Sequence, residues 1–180
     1  MKKKIAIIFG GKSAEHEVSI FSAANILSEM DKNLFEPVLI GISKQGSWYF
    51  FKDASIFTTH PSLNDDELSG HQAISWISVK ERPYILFLKS QEKLAVDCAF
   101  PIIHGTMGED GTLQGFFKVL NLPFVGCGVL ASAVGMDKEY AKRLMNEAGI
   151  PNAKYLVIRS DEAMQYSHLT KTLGDRKSVV

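Results

Sequence analysis

Two cysteines in 180 residues, Cys98 and Cys127, are too few and too far apart to make a disulfide framework. Cys98 lies in an apolar, strand-like run and Cys127 between two glycines, so both read as inert thiols in a reducing cytoplasm. No charge of either sign is in excess. Lys plus Arg number 20 and Asp plus Glu number 20, for a formal net charge of zero. That argues against a nucleic-acid footprint, which needs a clear basic surplus. Long apolar runs are also missing. Met1-Lys2-Lys3-Lys4 could open a signal peptide, but the run behind it covers only Ile5 to Phe9 and stops at Gly10-Gly11. A secretory core needs more than that, and no stretch approaches the length that spans a bilayer. There is no internal repeat and no low-complexity segment.

What is present is an ordinary globular balance, 46% apolar and 22% charged residues. The length suits one sizeable core and the start of a second domain. Lys4 to Phe9 reads as a buried parallel strand. A helix begins near Ser13, with Glu15 and Glu17 in its first turn, where carboxylates favour the positive end of the helix dipole. Val18, Phe21, Ala24 and Leu27 then recur at helical spacing. Glu36 to Ile42 reads as a second strand. From Ser43 to Leu94, short β-type runs separated by polar turns (Trp48 to Phe51, Ala73 to Val79, Tyr84 to Leu88) suggest an antiparallel excursion from the main sheet.

Asp97 to Ile103 is a further strand ending at His104-Gly105, and Leu113 to Leu120 is helical in pattern. Pro123 to Val125 is a short strand. Ala131 to Ala148 carries a longer helical region, broken near Gly135, with Gly149 as its C-terminal cap and Pro151 beyond. Strands alternating with helices indicate an α/β fold with an open, mostly parallel sheet flanked by helices. The boundaries expected are 1–135 for this domain and 136–180 for the opening of another, with Tyr155 to Ile158 beginning that second unit.

Gly10-Gly11-Lys12-Ser13 resembles the end of a phosphate-binding P-loop, but the first glycine of that pattern falls on Ala6, inside the strand. The dinucleotide pattern G-x-G-x-x-G also fails. What remains is a strand, a Gly-Gly turn and a helix opening with Glu15-His16-Glu17-Val18-Ser19. At that edge of an α/β sheet, a helix N-terminus attracts a carboxylate and Glu15 an ammonium group, which together suit an amino acid. The other reading is that Glu15 and Glu17 only complement the dipole on a solvated turn.

His104-Gly105-Thr106-Met107-Gly108-Glu109-Asp110-Gly111 is a second glycine-rich loop at a strand end. His104 could donate to a carboxylate or handle a proton; alternatively, the loop is a structural turn. Glu109-Asp110 lack metal-ligand spacing and read as caps for the helix at Thr112. Met136-Asp137-Lys138 opens another helix, and its lysine either is solvated or reaches a phosphate.

These segments, GGKSAEHEVSIFSA (10–23), PIIHGTMGEDGTLQG (101–115) and LPFVGCGVLASAVGMDKEYAKRLMNEAGIP (122–151), in this order and spacing resemble the D-alanine–D-alanine ligase family. The resemblance covers the chain up to about Ile158. It implies the first domain and the opening of the second of a three-domain ATP-grasp fold, the first being a pre-ATP-grasp domain. The implied reaction uses MgATP to activate one D-alanine as an acyl phosphate, which the amine of a second D-alanine attacks, in peptidoglycan precursor synthesis.

By the match, Glu15 would bind the ammonium group of the first D-alanine and orient its helix. Val18 would also contact that substrate, and His104 would lie near its carboxylate. Lys138 would contact the ATP phosphates, while ligands for Mg2+ would lie outside this chain. The family continues with a strand ending in Val-Lys-Pro. Here Leu173-Gly174 runs into Asp175 to Val180 instead, and the role of that lysine is not carried to Lys177. The expectation is therefore a ligase cut short by truncation, proteolysis or a frameshift, inactive alone, cytoplasmic and homodimeric. A D-alanine–D-lactate or D-serine ligase, or a non-catalytic dimerisation fragment, stays open.

Overall fold

A computed structural model describes residues 2–59, 62–158, 170, 171 and 173. The chain divides into two compact units, 1–136 and 137–180. The segment 174–180, with Lys177, lies outside the described residues, as does most of 159–173.

In the first unit β1 (Lys3–Gly10) leads to α1 (His16–Glu29), β2 (Phe35–Ile42), β3 (Trp48–Phe51), the short α2 (Ile56–Thr59), β4 (Gln72–Val79), β5 (Arg82–Phe87), β6 (Lys93–Ala95) and β7 (Cys98–Pro101). Then come α3 (Thr112–Val119) and α4 (Val129–Met136). The strands form one sheet in the order β6-β5-β4-β3-β2-β1-β7. β1 pairs in parallel with β2 and β7. Antiparallel pairings then carry the sheet from β2 out to β6. This is the expected open α/β sheet, parallel where the glycine-rich loops leave it, and the antiparallel excursion is the stretch from β3 to β6. Pro123 to Val125 contributes only a parallel bridge from Phe124 to Ala99.

The pleat of β1 explains why its whole second half is apolar. Successive side chains point to opposite faces, and both faces are covered. Ala6 and Ile8 join Ile40 on one side, under Leu113 and Phe117 of α3. Ile7 and Phe9 join Leu39 on the other, against Ile20 and Ala23 of α1 and with Ile56, Leu63 and Leu68 of the β3–β4 connection.

Only part of the apolar spacing of α1 enters this core, with Leu27 packed against it. Val18 is 53% and Phe21 70% exposed, whereas Ile20 and Ala23 are buried together with the polar His16 and Ser19. The helix is rotated because His16 and Ser19 find backbone partners at the strand ends, so polar residues occupy core positions.

The second unit contains α5 (Lys138–Glu147). The break between α4 and α5 falls at Asp137, two residues beyond Gly135. Asp137 is the N-cap of α5, its carboxylate accepting from the Glu139 and Tyr140 amides. At the other end Gly149 adopts φ +67°. Its amide donates to Asn146 O (3.1 Å) and that of Ile150 to Met145 O (2.8 Å), the paired bonds of a Schellman cap. Residues 151–158 have no regular secondary structure, so Tyr155 to Ile158 does not open a new element. Among the described residues, no helix is long and apolar enough to cross a membrane.

Candidate functional site

The C-terminal ends of β1 and β7 lie side by side, so the loops that follow them meet. The β1 loop turns at Gly10 and Gly11, both at positive φ. A Cβ on Gly10 would fall 2.3 Å from the Ile42 carbonyl oxygen, so no other residue fits that turn. His16 is 1% exposed and its Nδ1 lies 2.5 Å from Gly11 O. Since Gly11 O only accepts, Nδ1 carries the proton. The hydroxyl of Ser19, fully buried, donates to Ile102 O at 2.5 Å and accepts from the Gly10 amide at 2.9 Å. One side chain of α1 thereby ties the end of β1 to the segment leaving β7.

The two acidic residues of the β1–α1 junction differ in what they hold. Glu17 pairs with Lys44 at 2.5 Å, and that hydrogen bond lowers its pKa. Glu15 sits at the N-cap of α1, yet its carboxylate makes no capping hydrogen bond. It has no ion pair or hydrogen-bond donor among the described residues, and Oε2 lies 3.0 Å from where a Cβ on Gly105 would be. Gly105 belongs to the loop after β7, so a free carboxylate from the first glycine-rich loop packs on the second. Val18, three residues on, is exposed.

The second loop is held by its own acids. Glu109 folds back to accept from the Gly105 amide (2.7 Å). Asp110 accepts from the Met107 amide at 2.8 Å and the Thr112 amide at 3.0 Å. Only Asp110 therefore supports the start of α3; Glu109, expected to cap it as well, is turned back to Gly105. Burial pushes the Asp110 carboxyl up, but the Met107 and Thr112 donors outweigh it and hold its pKa below the usual value. Gln114, also buried, donates from Nε2 to Gly108 O (2.7 Å). His104 is partly exposed, its Nε2 3.1 Å from Ser22 Oγ of α1 and its Nδ1 4.0 Å from Glu109 Oε1. A cleft of ≈ 700 Å³ opens beside it, walled by Phe100, Ile103, Ser132 and Met136.

Four expected site residues thus divide between two units. Glu15, Val18 and His104 belong to the first, where the two loops meet. Lys138 is the first residue of α5 in the second; it is exposed, and its ammonium has no ion pair among the described residues. Sequence reasoning missed His16, Ser19, Ser22 and Gln114. The first three follow one another at three-residue intervals on α1, a polar stripe inside an otherwise apolar helix. That spacing was the available signal. Cys98 is half-buried, its thiol pKa raised by burial, and Cys127 is exposed; both are free. Among the described residues, no three His, Cys, Asp or Glu side chains group as a metal site.

The family described as D-ala D-ala ligase N-terminus matches residues 4–127. D-alanine–D-alanine ligase from Shouchella clausii is 46% identical over 179 residues, covering 96% of this chain and 48% of that protein. The solved D-alanine–D-alanine ligase from Coxiella burnetii superposes with a TM-score of 0.81 at 33% identity, over 94% of this chain and 48% of that one. VanG D-Ala:D-Ser ligase from Enterococcus faecalis gives a TM-score of 0.71 at 36% identity, over 86% and 44%. The chain spans about half the length of the relatives it matches.

Proposed function

The chain belongs to the D-alanine–D-alanine ligase family, and on that premise we propose that it forms the first-substrate half of an ATP-dependent ligase. That enzyme joins two D-alanines for peptidoglycan synthesis in the cytoplasm, releasing ADP and phosphate. The observation that carries this reading is the unpaired Glu15 carboxylate packed on Gly105. Glu17, two residues away, is engaged by Lys44, so the loop holds one anion ready for a cation from outside. An amino acid's ammonium group suits it. Val18, exposed beside it on the first turn, suits a small apolar side chain, and His104 a carboxylate.

The physical demand of the reaction is that a substrate carboxylate must meet a phosphate although both are anionic. Fixed donors and positive charge at the site offset that repulsion. Lys138, exposed at the start of α5, suits ATP phosphates as a flexible point charge, and residues from 136 onward would open the ATP-grasp domain. Magnesium would supply further positive charge there, although the described residues offer no grouped ligands for it.

Glu15→Gln, in a protein carrying these residues and the rest of the relatives' length, tests the reading. A charged hydrogen bond lost with one partner kept costs roughly 1.5–3 kcal/mol, so kcat/KM for the first D-alanine should fall about 10- to 150-fold. The second site should change much less. Unchanged first-site kinetics with lowered thermal stability would leave Glu15 a helix-dipole partner only.

The likeness to VanG favours a second reading, in which the second substrate is D-serine. Identifying the dipeptide formed from mixed D-alanine and D-serine decides between them.

A further inference from the structure

We propose that Ser22 is a positioning residue that fixes the orientation of the His104 ring; this rests on the reading of His104 as the ligand for the first substrate's carboxylate. What the two ring nitrogens meet sets how an imidazole is oriented. Here they are bracketed from two elements. Nε2 lies 3.1 Å from Ser22 Oγ on α1, and Nδ1 faces Glu109 Oε1 at 4.0 Å.

Glu109 is fixed in turn, because its other oxygen accepts the Gly105 amide. An ionised carboxylate only accepts, so it favours the proton on Nδ1. Nε2 is then the acceptor, and the Ser22 hydroxyl donates to it. Ser22 is half-buried on α1, the helix whose Ser19 is bonded to Ile102 O, so the hydroxyl stands on a rigid element. An incoming carboxylate then meets a ring whose plane is already set and whose Nδ1–H, 4.0 Å from Glu109, is still open to donate to it.

Two measurements test this. In the 180-residue chain, two-bond 1H–15N correlation of the His104 ring should show the Nδ1–H tautomer with an Nε2 resonance moved by the hydrogen bond from Ser22, and Ser22→Ala should lose that displacement. An Nε2 resonance unchanged by Ser22→Ala overturns the proposal. Folding is not at risk, since alanine is the better helix former.

In a protein of the relatives' length, Ser22→Ala should raise KM for the first D-alanine about three- to tenfold, the loss of one neutral hydrogen bond, with kcat changing less. Ser22→Thr should restore it. The double variant with His104→Gln should be no worse than His104→Gln alone. Impaired His104→Gln beside unchanged Ser22→Ala overturns the role of Ser22. Unchanged His104→Gln overturns the reading of His104 as a substrate ligand, and with it the kinetic half of this inference.

Discussion

Asp110 shows how much one side chain can hold in place. Its carboxylate bonds two amides on either side of Gly108, and so shapes the loop that carries His104. Its pKa is lowered in the fold, so its contribution to stability has a definite sign. That contribution is fully present above the unfolded carboxylate value of about 3.9 and is lost as pH falls through the lower folded value. Asp110→Ala should therefore cost about 0.5–2 kcal/mol at neutral pH, as for a lost cap. The gap from the parent chain should close in acid. Thermal unfolding of both between pH 7 and pH 2 checks it; a gap independent of pH would mean the charge is irrelevant.

At this scale, sequence identifies candidates but not their partners. Glu15 and Glu17 are alike as letters. What separates them is Lys44, 27 residues beyond Glu17 and brought to it by the turn after β2. No local pattern contains that information.

Among the elements, α1 organises the site. Ser19 reaches both the Gly10 amide at the end of β1 and the carbonyl oxygen of Ile102 just beyond β7. Ser19→Ala would leave a buried donor and a buried acceptor without a partner, at about 1–3 kcal/mol each. The expected loss is about 2–4 kcal/mol, allowing for some relaxation. Denaturant unfolding measures it, and a loss under about 1 kcal/mol would mean that water or a shifted backbone replaces the hydroxyl.

The same residue explains a misreading of the sequence. Val18 and Phe21 share the apolar spacing of α1 with Leu27, yet both are exposed while Leu27 packs against the core. Hydrophobicity registers a buried serine as a surface residue, because the backbone bonds that satisfy it lie elsewhere in the chain. Elements whose signals are local were readable. Asp137 at the start of α5, Gly149 at its end and the Gly10-Gly11 turn all act through their immediate neighbours. The strand expected at Pro123 to Val125 needed more partners than β7 alone provides, and it survives as one bridge.

For the molecule as a whole, the open question is what covers its remaining apolar surface. The stretch from Val119 to Val134 holds more apolar residues than a short helix and strand require, and in the first unit several stay uncovered. Val119 is 83% exposed, Leu130 77% and Val125 49%. Exposed apolar side chains occur singly on every protein, but several within one stretch indicate contact with another surface. We propose that a second copy of this chain provides it. A closed dimer presents the same patch twice, so one apolar stretch serves both sides of the contact. Sedimentation at micromolar concentration should then give twice the chain mass of 19.9 kDa. Leu130→Glu should shift the species to monomer without loss of helix content, because the side chain already faces solvent within one copy. If the parent chain sediments as a clean monomer, the patch has no self-partner. A dimer indifferent to Leu130→Glu would place the contact on another face.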